Sequence, residues 1–156
     1  MHERAEEFAE RARREYEFEV DVEEFPEGTK TAEDAAEAVG CDVAQIASSI
    51  AMRADDALVV VVTSGANRVD ADRVADLLDA ESVEMADAGE IKSVLGWSIG
   101  GVPPFCHDAE VPTLMDETLT TFETVWAAAG TPEAVFPIAP DELESLSGAE
   151  VAAVAE

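Results

Sequence analysis

Ile46-Ala-Ser-Ser-Ile-Ala-Met-Arg-Ala-Asp-Asp-Ala-Leu-Val-Val-Val-Val-Thr63 is the stretch on which the fold turns. In its first part Ile46, Ser48, Ile50 and Met52 fall on one side of an extended chain, and Ala47, Ser49 and Ala51 on the other. Leu58 to Thr63 is an unbroken, mostly β-branched run of the kind that is covered on both faces. Asp55-Asp56 between them reads as a hairpin turn, so two central strands are expected with helices packed against the sheet.

The flanking sequence supplies those helices. Residues 2 to 16 place Ala5, Phe8, Ala9, Ala12 and Tyr16 at helical spacing, with Glu7/Arg11 and Glu10/Arg14 as exposed i,i+4 pairs. Glu17 to Asp21 alternates through Phe18 and Val20 as a short strand would, and Phe25-Pro-Glu-Gly28 reads as a turn. Thr31-Ala-Glu-Asp34 has the capping-box pattern of a second helix ending near Gly40. Asp70 caps a helix carrying Val74, Leu77 and Leu78, and Asp87 caps another carrying Ile91, Val94 and Leu95 that stops at Gly96. Downstream, Thr113-Leu-Met115 is a short strand, and Phe122 to Trp126 pairs with Val135 to Ile138 across residues 127–133. Pro140-Asp-Glu-Leu143 opens a last helix, and Val151 to Val154 closes as a strand. The pattern defines an α/β (α+β) chain, and the absence of a repeat, linker or compositional break predicts one domain over residues 1–156.

Charge is the dominant compositional feature: 36 acidic residues against 9 basic ones give a formal net charge of -27. The acids are dispersed among alanine and valine, which points to adaptation to a salt-rich cytoplasm, where the Debye length falls to about 3 Å at molar salt. An acidic surface for a cationic partner or a metal is the alternative. Arg4, Arg11, Arg13 and Arg14 gather on the first helix, where their acidic neighbours make a solvated face the expectation over a nucleic-acid contact. No apolar run approaches the roughly 20 residues of a membrane span. Cys41 and Cys106 are isolated, which argues for reduced thiols, and no Walker, GxGxxG, HExxH, GxSxG or CxxC motif is present.

Gly100-Gly-Val-Pro-Pro104 is the segment richest in chemical meaning. Two glycines permit positive φ and bare backbone, and two prolines fix the next turn. Such a loop either aims backbone amides at an ester carbonyl or is simply a tight connection. Cys106-His107-Asp108 invites a nucleophile-base reading, but adjacent side chains in extended backbone diverge, so a partly buried Cys beside a surface His is expected. His107 with Asp108, Glu110 and His2 lacks the spacing of a metal site. Asp116 either orients a substrate amine or water, or caps residues 117–119. Ser48 and Ser49 either line a pocket or tuck their hydroxyls against backbone.

Taken in order, Gln45-Ile-Ala-Ser-Ser-Ile50, Leu58 to Thr63, Val69-Asp-Ala-Asp72, Val83-Glu-Met-Ala86, Gly96 to Pro104, Val111-Pro-Thr-Leu-Met-Asp116 and Trp126 to Gly130 resemble the YbaK/ProX family of aminoacyl-tRNA editing domains over about residues 31–154. The resemblance implies a mixed, mainly antiparallel, partly barrel-like sheet surrounded by helices. It also implies hydrolysis of the ester joining a wrong amino acid to tRNA, especially tRNA for proline, with no metal or organic cofactor. The partners implied are the aminoacyl-tRNA 3′ end and an aminoacyl-tRNA synthetase. In that family the glycine loop holds the aminoacyl carbonyl, a role that falls here on Gly100 and Gly101. Asp116, Ser49, Ile99, Pro104 and Ala128 would line the pocket. Two positions depart from the family pattern: Ser48 stands where a lysine is usual, and Ala128 where some members have serine. A serine donates one hydrogen bond but brings no charge, which makes a binding module without catalysis the rival of a trans-editing deacylase.

Overall fold

A computed structural model describes residues 2–25 and 31–156. The turn expected at Phe25 to Gly28 therefore lies largely outside the described residues.

Helix α1 (Glu3–Tyr16) buries Ala5, Phe8 and Ala12. It ends at Glu17, whose left-handed backbone returns its N–H to the last turn. The strand expected at residues 17–21 does not form: Phe18 and Val20 pack on the core as an irregular segment. Pairing begins instead at β1 (Glu23–Glu24). Periodicity reported which side chains face the core, but the backbone meets a partner strand only when it reaches β7 (Ala134–Ile138), opposite Val135 and Ala134.

Helix α2 (Ala32–Val39) starts at Thr31, whose hydroxyl accepts from Asp34 N–H at 3.1 Å, and ends at a left-handed Gly40. The central hairpin is β2 (Ile46–Ala54) with β3 (Ala57–Ser64), turning at Asp55. Asp70 caps α3 (Ala71–Leu78), and Asp87 caps α4 (Ala88–Leu95). Between these helices lies β4 (Val83–Met85), with β5 (Thr113–Asp116) and β6 (Val125–Ala128) further downstream. Strand β6 starts later than periodicity suggested, because residues 117–121 wind into a 3-10 turn capped by Asp116. Helix α5 (Pro140–Ser147) precedes β8 (Glu150–Ala152). Val154 has left the strand and is buried beside α3.

Among the described residues eight strands form one mixed, mainly antiparallel sheet ordered β1-β7-β6-β2-β3-β5-β8, with β4 also pairing to β2. Strand β3 shows why its run is continuously apolar. Leu58, Val60 and Val62 face a core with Phe8, Trp97, Phe105 and Phe136, while Val59 and Val61 face a second with Val74 and Leu114.

Of the four arginines on α1, Arg13 and Arg14 are exposed as a solvated face would have them, but Arg4 and Arg11 reach across to other segments. The Arg4 guanidinium lies 4.3 Å from the Trp97 ring centroid and donates to Gly96 C=O. Arg11 donates to Asp108 at 2.8 Å and to His107 C=O at 2.9 Å. Its helical partner is Glu15, and Glu7 serves Arg4, in place of the expected Glu7/Arg11 and Glu10/Arg14 pairs. Arg11 keeps an i,i+4 partner in Glu15 while its terminal nitrogens reach the acceptors that the fold fixes at residues 107 and 108.

Candidate active site

The cavity forms where the sheet splits. On the side of β2 away from β3, β6 pairs only with Ile46 and Ala47, and β4 only with Met52 to Ala54. Residues 48–50 therefore have an open edge among the described residues. A cavity of about 280 Å³ sits on that edge. One wall carries Met85, Ile91, Ile99 and Gly100, and the other Ala35, Trp126 and Ala128. No lining residue among those described is ionisable.

Of the residues expected from sequence, Ser48, Ser49, Ile99, Gly100 and Ala128 meet at this cavity, whereas Gly101, Pro104 and Asp116 are not in its lining. The glycine loop is a turn in which Gly101 N–H donates to Ser98 C=O at 3.0 Å and Gly100 takes φ +88°. That is the pattern of a type II turn, with glycine demanded at its third position. Gly101 thus differs from the reading that aimed its amide at a ligand, since that amide is committed inside the turn. Its missing Cβ makes room for protein: a Cβ there would lie 2.6 Å from Thr131 Cα. The exposed Ile99 rides at the turn's apex.

Asp116 is a cap and a buried anchor, 1% exposed. One carboxylate oxygen accepts from Thr118 N–H at 2.9 Å. The other accepts from Asn67 at 3.0 Å, Ser64 N–H at 3.1 Å and the Thr63 hydroxyl at 3.2 Å. Burial works to raise its pKa, but the hydrogen bonds from Asn67, Thr118 and Ser64 outweigh it and hold the group below the usual carboxylate range. A depressed folded pKa gives stability that is present above the unfolded value of about 3.9 and is lost as pH falls through the folded one. Asp116→Ala is expected to cost about 3 kcal/mol in denaturant unfolding at neutral pH, because several buried donors lose their acceptor. Asp116→Asn should lose less stability than the parent between about pH 5 and pH 2.

Cys106 and His107 form no dyad. Cys106 is fully buried with φ 66°, and its C=O accepts from Trp97 Nε1 at 2.9 Å. Burial, with Glu15 adding charge repulsion, pushes its thiol up to about 12. His107 is half-buried instead of superficial, with Nε2 2.7 Å from Pro103 C=O, and burial lowers its pKa. A second hollow of about 550 Å³ adjoins these residues, but its nucleophile is a neutral, covered thiol. The folded protein at pH 8 is expected to leave Cys106 unmodified by iodoacetamide at times that fully alkylate the denatured chain; modification at the denatured rate would restore a thiol mechanism.

Sequence reasoning missed the open strand edge itself. The signal available was the pair of serines inside an apolar strand, but which side lacked a partner depends on where β6 and β4 stop.

The architecture is a mixed sheet flanked by helices, with a small, mostly apolar and uncharged cavity on a split strand edge beside a glycine turn. Residues 26–146 match the family model of the aminoacyl-tRNA editing domain, and the chain belongs to that family. YwhH of Bacillus subtilis (strain 168), an uncharacterized protein, is 32% identical over 136 residues, 85% of each chain. The proline--tRNA ligase of Leuconostoc citreum (strain KM20) is 33% identical over 88 residues, which are 56% of this chain but only 15% of the ligase. A crystal structure described as that of a proposed trans-editing enzyme for prolyl tRNA synthetase superimposes with a TM-score of 0.94 at 35% identity, covering 100% of this chain and 99% of that one.

Proposed function

We propose that this chain is a trans-editing aminoacyl-tRNA deacylase: water attacks the ester carbonyl, and free amino acid leaves from the regenerated 3′-terminal ribose hydroxyl of a mischarged tRNA of the proline class. The observation that carries this reading is the cavity of about 280 Å³, lined by the glycine turn and two serines in a member of the editing family. Its size suits an aminoacyl group and excludes a large cofactor-sized ligand. Gly100 contributes backbone polarity to the carbonyl, and the Ser48 hydroxyl supplies one hydrogen bond to the ribose or the attacking water. Ser49, Ile99 and Ala128 bound the substrate, while Gly101, Pro104 and Asp116 position the loops. With no ionisable side chain among the described lining residues, the rate enhancement comes from orientation and fixed dipoles.

The whole chain acts as one domain, with the tRNA 3′ end as its ligand and a prolyl-tRNA synthetase as the source of mischarged substrate. Its net charge of -27 suits a salt-rich cytoplasm. Among the described residues no helix is long and apolar enough to cross a membrane.

The rival reading, a binding module that holds the aminoacyl end without cleaving it, is favoured by Ser48 and by the uncharged lining. Deacylation of alanyl-, cysteinyl- and prolyl-tRNA for proline and of seryl-tRNA in near-molar KCl separates the two. Release of one amino acid well above the uncatalysed rate is expected. Binding without release from any of them would leave the module.

A further inference from the structure

Two hydrogen bonds fix the direction in which each peptide of β2 points. Gly65 N–H donates to Ile46 C=O at 2.8 Å, so Ile46 and the other even-numbered residues turn their peptide groups towards β3. Ala86 N–H donates to Ala51 C=O at 3.3 Å on the opposite side, so the odd-numbered residues face outward. Ala47 is taken by β6 and Ala51 C=O by Ala86. Between them, Ser49 turns both its N–H and its C=O into the gap that no strand fills among the described residues. Its hydroxyl oxygen is also buried without a hydrogen-bond partner. Three unsatisfied polar groups on one residue, at the floor of an otherwise apolar cavity, demand a ligand or water.

We propose that the aminoacyl group docks as a one-residue antiparallel strand on Ser49: its α-ammonium donates to Ser49 C=O, and its ester carbonyl accepts from Ser49 N–H. This deepens the proposed function and rests on it. In an antiparallel hydrogen-bonded pair, two residues exchange both N–H···O bonds across one Cα on each side. An aminoacyl ester is a small molecule carrying that same donor and acceptor about one Cα. The uncharged lining leaves the ammonium no carboxylate among the described residues, so a main-chain carbonyl is its acceptor. Directly paired residues place their side chains on one face. An L-amino acid would therefore point its side chain beside the Ser49 hydroxyl, towards the face carrying Ala47, Ala51 and Val102. A D-amino acid would point the other way.

The test uses non-hydrolysable probes: 3′-deoxy-3′-(L-alanylamino)adenosine, its D-alanyl epimer and its des-amino propionyl counterpart, titrated into the ¹⁵N-labelled chain in near-molar KCl. The L-alanyl probe is expected to move the Ser49 amide proton downfield and slow its exchange with solvent. The des-amino and D-alanyl probes should bind about tenfold or more weakly. Equal binding of the three probes, or L-alanyl binding that leaves the Ser49 amide unmoved, would overturn strand-like docking while leaving deacylation standing. Failure of the L-alanyl probe to bind a protein that deacylates would overturn it as well. Pairing with Ser49 in a protein that cleaves no aminoacyl-tRNA would instead uphold the docking and remove the deacylase.

Discussion

Gly101→Val is expected to abolish deacylation and to destabilise the folded protein by about 3 kcal/mol or more, read as a lower midpoint in denaturant at constant salt. An added Cβ would lie 2.6 Å from Thr131 Cα, 2.9 Å from Thr131 N and 3.0 Å from Pro132 Cδ. Two of those atoms are backbone, so the overlap is relieved only by moving the turn away from residues 131–132. Gly101 N–H is also the donor that closes the turn on Ser98, so the displacement carries Ile99 and Gly100 out of the cavity wall. From sequence alone this variant would be expected to stay folded and only to block a ligand. The contact with Thr131 makes it a stability variant as well. Gly100→Ala is the companion measurement. There the nearest atom to an added Cβ is Pro132 Cβ at 3.9 Å, so space is available, and the cost comes from φ +88°, about 1–2 kcal/mol. Equal stability of Gly101→Val and the parent would show that the turn does not rest on Thr131.

Dialysis from near-molar KCl to about 10 mM salt is expected to abolish the folded circular dichroism signal. The chain carries 36 acidic residues and 9 basic ones, so most carboxylates have no cationic partner to neutralise them. Among the described residues Arg4, Arg11, Arg14, Arg53 and Arg73 form surface pairs with carboxylates, and exposed pairs of this kind add little to stability. At 10 mM salt the Debye length is about 30 Å, comparable with the whole domain, and every carboxylate then repels every other. Domain stabilities are roughly 5–15 kcal/mol, so an unscreened excess of this size exceeds the margin. Refolding on return of KCl would confirm screening as the cause. An unchanged spectrum at low salt would remove salt adaptation as the explanation of the charge.

The helices, the central hairpin and the class of fold were legible in the chain because each is encoded locally. Thr31, Asp70 and Asp87 cap helices with their own side chains, Gly40 and Gly96 end them in left-handed backbone, and the Leu58 to Thr63 run declares a strand covered on both faces. Of the residues that the family resemblance assigned to a pocket, Ser48, Ser49, Ile99, Gly100 and Ala128 meet at one cavity, whereas Gly101, Pro104 and Asp116 do not line it. Local pattern did not reveal that Phe18 and Val20 pack without pairing, or that Arg4 and Arg11 reach across to Gly96 and Asp108. Nor did it show that Asp116 is consumed by Ser64, Asn67 and Thr118. Periodicity records which face of an element is apolar, whereas a hydrogen-bond partner from a distant segment leaves no periodic trace. The tertiary structure alone decided the site's most informative feature. Ser49 has the same neighbours in sequence whether or not a strand lies beside it, and only the points where β6 leaves β2 and β4 joins it determine that its peptide groups remain open to a ligand.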